Sequence, residues 1–213
     1  MAPTTSTAHP SSTEVPNNTR IAATVPTLDD AAASKVVSLL QERLVCLLDL
    51  QLTLKHIHWN VVGMNFIAIH EMLDPQVDVV RTMSDQVAER ISTIGGEPLG
   101  TPGAITAMRS WDDYELNRAP AVRHLAALDE VYSGVLTDHR RTMEQLGEID
   151  RVSEDLFIGH IAQLELFQWF VRAHLKDSDG DVIHRSAGSK TDRTGAAGDV
   201  RVAATNGGRE VGR

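Results

Sequence analysis

From Ala31 to Val62 the chain contains neither glycine nor proline. A breaker-free run of more than about 30 residues is several times longer than a typical β-strand, so it predicts one long helix. Asp29 and Asp30 offer an N-cap at its start, and Gly63 marks its end. Val36, Leu40, Leu44, Leu47 and Leu48 recur at helical spacing. Leu48, Leu50, Leu52 and Leu54 alternate with Asp49, Gln51 and Thr53 as a strand would, but the length of the run decides for helix. Apolar residues on more than one face then predict a helix contacted from several sides.

After a break at Gly63-Met64-Asn65, a second helix is expected over Phe66 to Ile94, closed by Gly95 and Gly96. Pro98, Gly100, Pro102 and Gly103 mark a long connection, with a short helix expected around Trp111 to Asn117. A third helix begins near Pro120 and runs to about Leu146. The fourth spans about Val152 to Lys176, with Leu156, Ile161, Leu164, Phe167 and Val171 as its apolar stripe. Four long helices with one long link between the second and third describe an all-α, ferritin-like four-helix bundle of the crossover type.

Residues 1–28 are rich in Ser, Thr, Pro and Asn, and residues 178–213 in Gly, Ala, Asp, Ser and Arg. Neither stretch can bury enough apolar area to offset its ordering entropy. Both read as flexible tails around a bundle domain at 29–177. Aromatic residues make up only 4% of the chain, which suits a Leu/Val/Ala helical core. A net charge of −9 argues against a dedicated nucleic-acid module and suits a protein that attracts cations. The single cysteine, Cys46, allows no intrachain disulfide and reads as an inert core thiol. No leader-like segment and no apolar run of membrane length is found, so a cytoplasmic protein is expected.

The second helix carries the chemistry. His70 and Asp74 are four residues apart, as are Asp85 and Glu89, and the eleven residues from Asp74 to Asp85 make close to three turns. All four side chains therefore lie within an arc of roughly 100°. Imidazole and carboxylate together suit iron, and the carboxylates also hold Fe(III) after oxidation. Asp74 and Asp85 are nonetheless about 16 Å apart along the axis, too far to share one metal. Either each chain holds two incomplete half-sites, or a second copy completes them. Antiparallel pairing of two second helices about a two-fold axis would set His70 and Asp74 of one chain against Asp85 and Glu89 of the other. His58, near the end of the first helix, can reach the His70 end. Simpler readings exist for each residue. Asp74 could cap a helix that starts at Pro75, and Asp85 and Glu89 could pair with Arg81 or Arg90. No Glu-x-x-His occurs, so an in-chain di-iron centre is not expected. His70-Glu71-Met72-Leu73-Asp74 departs from the zinc-protease motif at its last position.

The runs His56-Ile57-His58-Trp59-Asn60-Val61-Val62-Gly63-Met64-Asn65-Phe66, His70-Glu71-Met72-Leu73-Asp74 and Asp85-Gln86-Val87-Ala88-Glu89-Arg90 resemble those of the Dps family, the DNA-binding proteins from starved cells or mini-ferritins. Gly95-Gly96 and Phe167-Gln168-Trp169 extend the resemblance, which covers about residues 30–176 and is nearest the actinobacterial branch with extended tails. It implies a ferroxidase centre made of His58, His70 and Asp74 from one subunit with Asp85 and Glu89 from its two-fold mate. It further implies two iron ions per intersubunit site and a hollow homododecamer. Such a shell oxidises Fe(II), preferentially with hydrogen peroxide, stores ferric mineral and so protects DNA from oxidative damage. Trp59, beside His58, is the candidate electron donor.

Glu148, Asp150, Glu154 and Asp155 cluster at the start of the fourth helix. They suit either the helix dipole or an iron entry pore. His56, His124, His139, His160 and His174 lack carboxylate company at ligand spacing and read as structural or surface residues. The N-terminal arm has only Arg20 as a basic residue. From Val182 onward Arg185, Lys190, Arg193, Arg201, Arg209 and Arg213 outnumber Asp192, Asp199 and Glu210 by three. These six are the candidate contacts for non-specific, salt-sensitive DNA binding and nucleoid association. A DNA-compacting protein with secondary iron chemistry is the alternative reading.

Overall fold

A computed structural model describes residues 21–176. Four long helices form the body: α1 (Asp30–Asn60), α2 (Phe66–Ile94), α4 (Ala121–Gly147) and α5 (Arg151–Leu175). A two-turn helix α3 (Pro102–Met108) lies in the link between α2 and α4. Two-residue strands β1 (Val61–Val62) and β2 (Ala119–Pro120) pair in parallel, Val61 with Ala119 and Val62 with Pro120.

Local chemistry explains the helix bounds. The Asp29 carboxylate accepts from Ala32 N at 2.8 Å, which satisfies one of the four backbone donors left open at the start of α1. Gly95 closes α2 in the left-handed region (φ 101°), where its N–H bonds back to the last turn. Gly96 follows for a different reason: a Cβ there would stand 2.8 Å from Val37. Pro75 lies inside α2, so Asp74 is not the cap of a new helix and the Glu71 carbonyl loses its usual intrahelical donor.

α1 packs along α2, and α4 along α5. The shared core holds Leu40, Leu47, Leu50 and Leu54 of α1 with Ile69, Leu73, Val80, Val87 and Ile91 of α2. Leu128 and Tyr132 of α4 and Phe157, Leu164 and Val171 of α5 complete it. The alternating leucines of α1 are helical as expected, and Leu52 faces outward at 59% exposure. The buried Tyr132 hydroxyl donates to Gln76 Oε1 at 2.6 Å, tying α4 to α2.

Two expectations change. The short helix stands at Pro102–Met108 instead of Trp111 to Asn117. Thr101 caps it and Pro102 occupies its first turn, so residues that read as breakers are start signals here. Trp111 to Asn117 is non-helical because its side chains are committed elsewhere: Trp111 Nε1 donates to Asp49 Oδ2 at 2.8 Å. Residues 21–28, assigned above to the flexible arm, pack against the end of α2. Ile21 is buried, and Thr24 N donates to the Ile94 carbonyl at 3.3 Å.

Candidate metal centre

The α1–α2 connection is only Val61 to Asn65, with Gly63 (φ 90°) and Asn65 (φ 66°) both left-handed. This sharp reversal sets the last turn of α1 beside the first turns of α2. His58 and His70 meet there with ring centroids 3.6 Å apart and planes 23° from parallel. His58 Nδ1 donates to the His70 carbonyl at 2.9 Å, and His70 Nδ1 donates to the His58 carbonyl at 3.0 Å. A carbonyl can only accept, so both Nδ1 atoms carry the proton. In the neutral form of each ring Nε2 then carries the lone pair, the form an imidazole needs to bind a metal.

One turn further along α2, Asp74 Oδ1 lies 2.8 Å from Lys55 Nζ and 3.3 Å from His58 Nδ1. The hydrogen bond from Lys55, helped by the nearby imidazoles, holds the Asp74 carboxyl below the usual carboxylate range. Lys55 is the residue the sequence reading missed. Its signal was present, because Lys55 sits one helical turn before His58 on the same face. Trp59 is 69% exposed, with Lys55 Nζ 5.9 Å from its ring centroid. It is not a core aromatic of the chain.

Asp85 and Glu89 are exposed on α2 and make no ion pair among the described residues. Arg81 pairs with Asp78, and Arg90 pairs with Asp150 at 2.7 Å. The simple pairing suggested for Asp85 and Glu89 is therefore absent. The structure brings His58, His70 and Asp74 together and leaves Asp85 and Glu89 about 16 Å further along the same helix. Among the described residues of one chain, no three His, Cys, Asp or Glu side chains stand close enough to hold a metal. The nitrogen and oxygen donor set itself, imidazole with carboxylate, fits Fe(II).

The other candidates resolve individually. Asp150 caps α5 by accepting from Val152 N and Ser153 N, and its carboxylate takes the Arg90 guanidinium. Burial pushes its pKa up, but the hydrogen bonds from Arg90 and Ser153 outweigh that and hold it below the ordinary value. Glu154 pairs with Arg151, while Glu148 and Asp155 are exposed. Asp150 and Glu154 thus follow the helix-end reading. Cys46 is buried, and burial pushes its thiol up to about 12. His124, His139 and His160 are buried, His56 bonds to the link and His174 is exposed. Arg185, Lys190, Arg193, Arg201, Arg209 and Arg213 lie outside the described residues.

A crossover bundle with an incomplete metal-ligand set on paired helices defines a protein of the ferritin-like class. The family model for the ferritin-like domain matches residues 37–180. The DNA protection during starvation protein of Mycolicibacterium smegmatis is 54% identical over 178 residues, covering 84% of this chain and 96% of that one. The solved structure of Mycobacterium smegmatis Dps superposes with a TM-score of 0.75 at 54% identity, covering 78% of this chain and 95% of that chain. DpsA14 from Streptomyces coelicolor gives a TM-score of 0.75 at 54% identity, covering 77% and 98%. The chain belongs to the Dps family. Among the described residues, no helix is long and apolar enough to cross a membrane.

Proposed function

We propose that this protein oxidises Fe(II) at centres shared between two copies of the chain and stores the ferric product inside a hollow dodecamer. The observation that supports the reading is the reciprocal hydrogen bonding of His58 and His70, which engages both Nδ1 atoms within the chain and leaves each Nε2 for a metal. In each centre His58, His70 and Asp74 come from one subunit, and Asp85 and Glu89 from its two-fold partner. Iron is the substrate, two ions per centre. Two Fe(II) supply the two electrons that reduce one hydrogen peroxide to water, which is why peroxide is the preferred oxidant and no hydroxyl radical is released. Trp59 stands beside the ligands as a reserve electron donor. The activity is a ferroxidase of the cytoplasm, protective of DNA because it consumes iron and peroxide together.

Reassembly of mixed subunits tests the shared centre. His70→Ala and Asp85→Ala subunits each lack one half of every site. At an interface between the two variants, one centre carries both lesions and the other is intact. The initial rate of Fe(II) oxidation is expected to rise above that of either variant alone. An unchanged rate, with mixing verified by mass spectrometry, rules out a divided site.

A DNA-binding role is supported by the basic excess after Val182, and it agrees with the DNA protection named for the Mycolicibacterium smegmatis relative. Such binding is read as non-specific contact with phosphates by twelve tails. Removal of residues 182–213 should abolish DNA retardation at low salt and leave iron oxidation intact. If DNA is never retarded by the full chain, the nucleoid role is lost.

A further inference from the structure

His58 and His70 hold each other through main-chain carbonyls, so each ring is only as well placed as the backbone of the opposite helix end. The connection between those ends contains two left-handed residues and no packed side chain of its own beyond Val61. Something else must fix the last turn of α1. On the side of that turn away from His58, about 200° round the helix, His56 Nε2 donates to the Leu116 carbonyl at 2.8 Å. The His56 ring meets the edge of Tyr114 at 5.9 Å. The Tyr114 hydroxyl lies 2.9 Å from His124 Nδ1 and 3.3 Å from the His124 carbonyl. His124 is fully buried, and its Nε2 has no hydrogen-bond partner among the described residues. The β1–β2 pairing then ties Val61 and Val62 to Ala119 and Pro120.

We infer that His56, Tyr114 and His124 form a clasp through which the crossover link positions the His58–His70 pair for metal. None of the three touches metal; they act through the backbone of residues 56–62. The link has a reason to be long, because it must travel from the end of α2 back to the end of α1. The inference rests on the metal-centre reading and extends it to residues on the far side of the helix.

Co(II) is the probe, because its visible absorption reports ligand geometry and needs no turnover. Full-length Tyr114→Phe, His56→Ala and His56→Gln proteins are titrated with Co(II) beside the wild type and His58→Ala. Phe keeps the ring and removes the hydroxyl; Gln carries an amide donor to about the reach of His56 Nε2. Tyr114→Phe and His56→Ala should bind Co(II) more weakly, roughly tenfold, the lower range for loss of a group that orients a ligand. Their Co(II) spectra should shift at saturation while subunit assembly stays unchanged, and His56→Gln should restore both. If Tyr114→Phe fails to fold, the His56 pair decides alone. Wild-type affinity and spectrum in the variants overturn the clasp, and so does weakened binding that Gln does not rescue and that merely tracks lost stability. A wild type with no His58-dependent Co(II) band overturns the metal-centre reading itself, and the clasp with it.

Discussion

Lys55 and Asp74 make the shortest polar contact at the centre, Nζ donating to Oδ1 across 2.8 Å. The carboxylate proposed as a metal ligand thus already accepts from an ammonium carried on the other helix of the pair. On that reading the Lys55 ammonium and an incoming metal cation compete for the charge of one carboxylate.

Lys55→Met should therefore tighten Fe(II) or Co(II) binding. Both groups are accessible to solvent, so the gain is limited to about fivefold, the ceiling set by exposed ion pairs. It should shrink as salt rises, because the competing pair is screened. Titration at two salt concentrations checks this, and weaker binding in the variant would show that Lys55 helps the site.

His139 and His160 make the fold acid-sensitive. Burial holds His139 down to about 3 and His160 down to about 4, so both are neutral in the folded state at pH 7. The neighbouring Arg43 guanidinium adds to the effect on His139. The unfolded chain takes up these protons first, near the ordinary histidine value of about 6.5. Stability should accordingly be complete above that pH and fall as pH drops toward 4, by up to about 1.4 kcal/mol per pH unit for each ring. Urea titrations at fixed protein concentration between pH 7 and 4.5 should show this slope, and His139→Leu should reduce it by about half, leaving the His160 part.

Tyr132→Phe tests the hydroxyl buried against Gln76. Gln76 Nε2 has no partner among the described residues, so losing the hydroxyl leaves both ends of a buried amide unpaired. A cost of about 1–3 kcal/mol is expected, read as a lower denaturation midpoint.

Asp150 joins the start of α5 to the end of α2 through Arg90, next to Glu89. Asp150→Ala removes a cap and leaves a mostly buried guanidinium with no counter-charge, only its hydrogen bond to Ser153 Oγ, for a loss of about 3 kcal/mol. Asp150→Asn keeps the cap and loses the charge, so it should fall between wild type and Ala. Equal stability of the Asn and Ala variants would assign the whole effect to the ion pair.

The helix pattern was legible because it depends on local rules. The breaker-free run ending at Gly63 and the stop at Gly95 are each decided within a few residues. The position of α3 was not, since Pro102 and Gly103 serve equally as breakers and as a helix start. What separated the two was the pull of Asp49 on Trp111, a contact 62 residues away in sequence.

The five candidate ligands and their split into two groups follow from sequence alone, because 3.6 residues per turn and 1.5 Å per residue fix both face and spacing. Which nitrogen of each imidazole is engaged within the chain could not be read there. That was decided when a five-residue reversal set two helix ends in register, so that the His58 and His70 carbonyls each took the other's Nδ1 proton. The hold of Lys55 on Asp74 has the same origin. Helical periodicity is a property of one chain segment, whereas tautomer, ion pairing and ring placement depend on which segments the fold makes neighbours.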